Sequence, residues 1–342
     1  MIVALGSRPY DGPWGGGNRF IAELCDALAR RGHAVAHDLN DRDIDIILLT
    51  DPRVRSPHVC FEAGAILRYL LGRNPNAIVV HRVNECDERK GEAFINHRLV
   101  RANYVADATV FVGEWLTRLR VWREKLREPW YVIRNGSNPG IFDRQGFTPY
   151  AGDGPLKLVT HHWGYHAMKG FDVYAALDRL LTEPKWRDRL TFTYVGNLPK
   201  GFTFANARYI PPMDGAPLSA ELRSHHAYIT ASINEPGGNH QNEGALCGLP
   251  LLYRQSGCMP EYCTGFGVPF DGPGDLEAAL ERLLGEYNAL AGRMSQYPHR
   301  ADRMTREWID LFEDLVSRRE EIVARRRLWR NPWLVLRNQI PV

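Results

Sequence analysis

Two runs, Asp45-Ile-Ile-Leu-Leu-Thr50 and Ala77-Ile-Val-Val-His81, stay apolar between their ends instead of alternating with polar residues. A strand with one wet face alternates, so an unbroken run points to a strand covered on both faces, as in a parallel sheet flanked by helices. Cys60 to Leu71 lies between them and reads as a helix. At the start, Val3-Ala-Leu5 leads through Gly12-Pro-Trp-Gly15-Gly16-Gly17-Asn18-Arg19 into a helix with Phe20, Leu24, Ala27 and Leu28 on one face. Strand, glycine loop and helix form the first unit of a doubly wound α/β domain.

A chain of 342 residues is too long for one average domain and long enough for two, each with its own core. The Pro/Gly-dense stretch Gly146 to Pro155 reads as the linker. This gives a first domain over 1–148, a second over 155–300, and a helical segment with a basic tail over 301–342. No segment has the continuous apolar length of a membrane span. Met1-Ile-Val-Ala-Leu5 lacks a basic prefix and runs straight into Gly6-Ser7-Arg8-Pro9, a first strand rather than a signal peptide. Six scattered cysteines without a Cys-x-x-Cys pair suggest neither zinc nor a disulfide framework, and fit a reducing cytoplasm. A net charge of +3 does not by itself imply nucleic acid binding.

The glycine loop fails the dinucleotide fingerprint, because Phe20 stands where the third glycine of Gly-x-Gly-x-x-Gly belongs. Its glycines still permit close backbone approach to an anion, or simply a flexible turn. His81 falls at the predicted carboxyl end of a strand, where open α/β sheets place ligand contacts, and Arg82, Asn84, Glu85, Asp87 and Glu88 follow. This polar cluster is the candidate acceptor side, with His81 as a catalytic candidate.

The densest stretch is Asn234 to Glu261. The strand-like Ala227–Ile233 is broken by Pro236-Gly237-Gly238, and Asn239 is placed to cap a helix of about two turns carrying Glu243. Gly248 ends that helix before Leu249-Pro-Leu-Leu-Tyr253 resumes an extended path. Glu235 then precedes the helix and Glu243 lies on it, so both carboxylates could face a ligand at the helix N-terminus, where free N–H groups favour an anion; by its pattern alone the stretch could equally be an ordinary Gly/Pro surface connection.

Glu235, seven residues, Glu243, then Cys247-Gly-Leu-Pro250 and Ser256-Gly-Cys-Met-Pro-Glu261 resemble the signature of retaining glycosyltransferases of family 4. The resemblance extends to Val132–Phe142 with its Asn135-Gly136 turn, and more weakly to Gly15–Gly17 and Lys169-Gly170. It implies two Rossmann-like doubly wound domains facing across a cleft, the glycosyltransferase B fold. It also implies that Glu243 binds the donor ribose, that Glu235 lies near the donor sugar, and that Gly16 and Gly17 approach the diphosphate. Lys169 would meet the donor phosphates, where negative charge grows as the sugar bond breaks. The loop after the short strand Ala207–Pro212 would contact the base through Ile210, Pro211 and Met213. Gly237, Gly238 and Asn239 would form the remaining edge of the donor site at the helix start.

The chain departs from the family pattern in two places. Gly113 stands where a serine is usual, and no arginine lies between Lys157 and Lys169. His162, Trp163, His166 or an arginine elsewhere in the fold could supply what that arginine supplies. The three histidines at 161, 162 and 166 lack a nearby acid or cysteine at a familiar metal spacing.

The expected activity is transfer of a sugar, with retention, from a nucleoside diphosphate sugar to a glycan, glycolipid or small-molecule hydroxyl. No metal and no cofactor beyond the donor are expected. A nucleotide-sugar epimerase, a sugar phosphorylase, or a non-catalytic module that binds nucleotide sugars would use the same architecture. Trp115 to Arg127 reads as a basic helix, and Arg318 to Arg330 precede Trp333-Leu-Val-Leu336. Either segment could touch an anionic membrane surface from the cytoplasmic side, or simply carry solvated arginines.

Overall fold

The computed structural model describes residues 1–10, 16–51, 58–123 and 125–340. The chain divides into two compact units: Met1–Asp87, Glu92–Arg134 and Asp302 onward form unit 1, while Glu88–Gly91 and Asn135–Ala301 form unit 2.

Unit 1 runs β1 (Ile2–Leu5), α1 (Gly16–Arg30), β2 (Ala34–Ala36), β3 (Ile46–Leu49), α2 (Ala63–Gly72), β4 (Ile78–Val83), α3 (Ile95–Ala102), β5 (Ala108–Phe111), α4 (Arg120–Arg123) and β6 (Trp130–Val132). Its six strands are parallel, in the order β2-β1-β3-β4-β5-β6. β3 is buried at every position and pairs with β4 from Ile46↔Ile78 to Leu49↔His81, so both apolar runs lie in the sheet interior. Phe20, Ile21, Leu24, Ala27 and Leu28 of α1 cover one face with Leu48, Val80 and Val110; Ile66, Leu67 and Leu70 of α2 cover the other with Ile47 and Val79. That two-sided burial is why neither strand alternates.

Unit 2 runs β7 (Leu156–His162), α5 (Phe171–Leu180), β8 (Leu190–Gly196), β9 (Arg208–Ile210), α6 (Gly215–Arg223), β10 (Ala227–Thr230), α7 (His240–Leu246), β11 (Leu251–Arg254), α8 (Met259–Cys263), β12 (Gly267–Phe270) and α9 (Leu276–Arg293). Its sheet is also parallel and six-stranded, in the order β12-β11-β10-β7-β8-β9. In the unit's own count this is 6-5-4-1-2-3, the order of dinucleotide-binding domains. The strand order reverses between β7 and β10, and open α/β sheets bind ligands outside the carboxyl ends of the strands at such a point.

The chain then returns to unit 1 through α10 (Ala301–Ser317), α11 (Arg319–Arg325) and α12 (Pro332–Asn338). Trp308, Phe312 and Leu315 are buried with Phe20 and Leu24, and the Trp308 and Phe20 rings lie 5.4 Å apart.

Three sequence expectations are corrected. Trp115 to Arg127 is not one helix: a 3-10 turn over Glu114–Arg118 is followed by the single turn α4. Trp122 of α4 is fully buried edge-on against Phe111, while Arg118, Arg120, Arg123 and Arg127 stay exposed, so the stretch is anchored in the core and its arginines are solvated. β4 continues two residues past His81, so His81 is an interior strand residue. The C-terminal helix is interrupted at Arg318, and the short α12 follows it.

Candidate active site in unit 2

The carboxyl end of β7 carries His161 and His162, and β10 leads through Ser232 into Glu235, so the reversal point brings both segments together. Two glycines make this approach possible. Gly170, at φ +86°, has no room for a β-carbon, which would lie 2.2 Å from the carbonyl oxygen of Ala231. At Gly257, φ +57°, a β-carbon would come within 2.5 Å of the Glu235 nitrogen. Left-handed backbone and close approach together require glycine at both places. The loop is pinned further by Cys258 N donating to Glu235 O at 2.9 Å and Ile233 N donating to Met168 O at 2.7 Å.

Lys169 ends the 3-10 turn Ala167–Lys169 with its side chain buried, and its Nζ donates to Glu235 Oε2 at 2.5 Å. Arg89, from the segment Glu88–Gly91 that groups with unit 2, places Nε 3.6 Å from Glu235 Oε1. Asn234 Nδ2 donates to Glu88 O at 3.2 Å and ties that segment to the loop. Burial by itself would raise the Glu235 pKa, but Lys169 and Arg89 outweigh it and hold the carboxyl well below the usual carboxylate range. Lys169 and Arg89 thus both approach the Glu235 carboxylate, one at each oxygen.

Glu243 lies on α7, whose seven residues are all buried. Its Oε2 is 2.7 Å from His161 Nε2, and His161 Nδ1 lies 3.1 Å from the Tyr228 hydroxyl. Gly244 leaves the Tyr228 ring its place, since a β-carbon there would lie 2.5 Å from that ring. His162 Nε2 lies 2.6 Å from the Tyr174 hydroxyl, and His240 Nε2 lies 2.8 Å from Thr230 Oγ1. Burial, reinforced by neighbouring histidines and Lys169, holds both His162 and His240 well below the ordinary histidine range, so both are neutral. His166 is pushed down to about 4 by burial and Lys169. Among the described residues, no group of three or more His, Cys, Asp and Glu side chains is placed to hold a metal ion.

The turn before α7 is braced from several sides. Asn135 Nδ2 donates to Gly237 O at 2.6 Å, Gln241 Nε2 to Gly238 O at 2.7 Å, and Gly238 N to Cys258 Sγ at 3.4 Å. Asn239 occupies the expected cap position, but its side chain makes no capping hydrogen bond. Among the remaining candidates, Trp163 is half-buried and its carbonyl accepts from Asn197 Nδ2 at 2.9 Å. Ile210 ends the edge strand β9, with Pro211 and Met213 in the loop after it.

Lys169, Glu235, Glu243, His162 and the Gly237–Asn239 turn thus all belong to one region of unit 2. Gly16 and Gly17 begin α1 in unit 1, while Gly12–Gly15 lie outside the described residues. Gly17 borders a cavity of about 220 Å³ lined also by Arg8, Asn18, Thr50, Asp51 and Arg82. His81 is likewise in unit 1, fully buried, with Nδ1 2.9 Å from Asn103 Oδ1; burial lowers its pKa to about 4. Those are the surroundings of a core histidine. Sequence reading did not single out Arg89, His161 or Tyr228. Arg89 is 146 residues from Glu235, and only its place at the end of the polar run after His81 hints at it.

No family model matches the sequence, and no curated protein matches it. Solved structures do. Sucrose-phosphate synthase from Thermosynechococcus elongatus superposes with a TM-score of 0.63 at 16% identity, covering 93% of this chain and 99% of that one. A match over 93% of the chain takes in both parallel sheets. The fold is the glycosyltransferase B fold. HepE of Anabaena, in complex with UDP and glucose, shares that fold at TM-score 0.63 and 12% identity, covering 91% of this chain and 99% of its own. A glycosyltransferase from Rickettsia africae gives TM-score 0.62 at 14% identity, with coverage of 92% and 98%. A glycosyltransferase B fold accounts for the second α/β unit, whose β7/β10 reversal point carries the buried acids and the lysine.

Proposed function

We propose that this protein is a retaining glycosyltransferase that moves a sugar from a nucleoside diphosphate sugar to an acceptor hydroxyl. The observation that carries the reading is the buried Lys169–Glu235–Arg89 cluster at the strand-order reversal of unit 2, in the same region as Glu243. The structural relatives support the donor class, since one of them is described with UDP and glucose bound.

Two cationic side chains, Lys169 and Arg89, converging in a braced site suit a polyanion, and a diphosphate is one. Lys169 is paired with Glu235, so an arriving phosphate oxygen shares its ammonium with that carboxylate. As the sugar–phosphate bond stretches, charge on the leaving oxygen grows and the interaction with Lys169 strengthens, which lowers the barrier. Arg89 supplies the second cation that the sequence around Lys169 lacks. Glu243, held by His161 on one oxygen, offers its carboxylate to the ribose hydroxyls. Glu235, ionised, accepts hydrogen bonds from donor sugar hydroxyls. The leaving diphosphate needs no protonation, so the two acids do not act as the acid and base of a glycosidase. The departing phosphate takes the acceptor proton on the same face, which yields retention.

Nothing in this scheme requires a divalent ion, because Lys169 and Arg89 provide the field that a metal provides elsewhere. The test is to incubate the protein with a panel of nucleotide sugars, UDP-glucose first, and to follow release of nucleoside diphosphate with and without EDTA. Release from one donor that persists in EDTA supports the reading. Release that vanishes on chelation and returns with magnesium or manganese contradicts the metal-independent mechanism.

A further inference from the structure

α12 is held by one side only. Val335 and Asn338 are buried, Asn338 Nδ2 donates to Arg101 O at 3.3 Å and Leu334 O at 3.0 Å, and Arg68 Nη1 donates to Gln339 Oε1 at 2.6 Å. The backbone sits so close to α2 that a β-carbon on Gly64 would lie 2.3 Å from Asn338 O. Residues 333, 336, 337 and 340 fall at i, i+3, i+4 and i+7, on the opposite face. There the exposures are 69% for Trp333, 61% for Leu336 and 64% for Ile340, and Trp329 just before the helix is 61% exposed.

Scattered exposed apolar residues are ordinary, but four large ones within twelve positions on a rigidly anchored segment are not. Charge accompanies them. Arg337 shares the exposed face, and Arg101 on α3 has Arg337 and Arg98 as like-charged neighbours, with Glu62 as an opposing charge 3.7 Å from Arg68. The residues leading into α12, Arg327, Leu328 and Arg330, line a pocket of about 380 Å³ together with Arg127 and Arg325.

We propose that this face of α12 docks on an anionic lipid surface, with Trp329, Trp333, Leu336 and Ile340 entering the headgroup region and the flanking arginines meeting acidic headgroups. Tryptophan and arginine side by side suit that boundary, where one end of a side chain is apolar and the other wet. A second copy of the chain fits less well: four side chains fall far short of the roughly 20–30 residues a side of a stable interface. The inference is independent of the donor chemistry and is tested without it.

The full-length protein is sedimented with phosphatidylglycerol vesicles and, separately, with phosphatidylcholine vesicles. It should pellet with the first far more than with the second, and binding should fall steeply as salt is raised. The double substitution Trp333→Ser, Leu336→Ser should lower partition roughly tenfold or more, and Arg337→Glu should lower it about severalfold, with unchanged melting temperatures. Equal binding to both vesicle types, or variants that bind like wild type, would overturn the proposal. So would a wild-type dimer in light scattering that the double substitution converts to monomer, since the face would then belong to a second copy.

Discussion

Lys169 Nζ lies 2.5 Å from Glu235 Oε2 with both side chains buried, and Arg89 stands 3.6 Å from the other carboxylate oxygen. Glu235 is therefore the counterion that lets unit 2 keep a buried ammonium. Glu235→Gln leaves Lys169 without its buried partner and should destabilise the protein by about 3 kcal/mol, read from urea unfolding at neutral pH. The pH dependence has a definite sign. The folded-state pKa of Glu235 is depressed, so its contribution is complete above the unfolded value of about 4.3 and is lost as pH falls below it. The difference between wild type and Glu235→Gln should shrink in that acid range. A variant as stable as wild type at neutral pH would mean that the pair contributes no net stability.

Much of this was legible in the sequence, and the reason is physical. Unbroken apolar runs at Ile46–Leu49 and Ala77–Val80 announce a sheet covered on both faces, and Phe20, Leu24 and Leu28 announce the helix that covers it. The Pro-Gly-Gly break before α7 marks the local turn that carries Glu235 and Glu243 into the same region. What stayed hidden depends on long-range packing. Trp122 anchors a basic stretch in the core, and Arg89 meets Glu235 through a contact that no local pattern records. His81 misled for a related reason: a polar residue near the end of an apolar run looks like a strand terminus, yet Asn103 and Thr109 give this one a buried hydrogen-bond network.

His81 supplies a second acid-sensitive element. Its folded pKa is about 4 because burial disfavours the charged ring, against about 6.5 unfolded. Its contribution to stability is thus complete above about pH 6.5 and declines as pH falls toward 4, by about 3 kcal/mol. Stability curves of wild type and His81→Gln should converge over that interval. Parallel curves would show that His81 titrates alike in the folded and unfolded chain, against a lowered pKa.

Glu243→Ala should weaken the free nucleoside diphosphate and the intact donor alike, by roughly 1–3 kcal/mol, because the lost hydrogen bonds are to the ribose that both contain. His161 retains its contact with the Tyr228 hydroxyl, so melting should change less than affinity. Unchanged affinity in calorimetry would remove Glu243 from the ribose site.

The central claim, that Lys169 stabilises the leaving diphosphate, is tested most directly by steady-state release of nucleoside diphosphate from the active donor, comparing wild type, Lys169→Ala and Lys169→Arg. Turnover should fall on the order of a hundredfold in Lys169→Ala, with a smaller change in the Michaelis constant for donor, and Lys169→Arg should recover only part because its donors are fixed in a planar fork. Folded Lys169→Ala protein, verified by its melting curve, that keeps wild-type turnover while only the Michaelis constant rises would make Lys169 a binding contact alone and contradict the account.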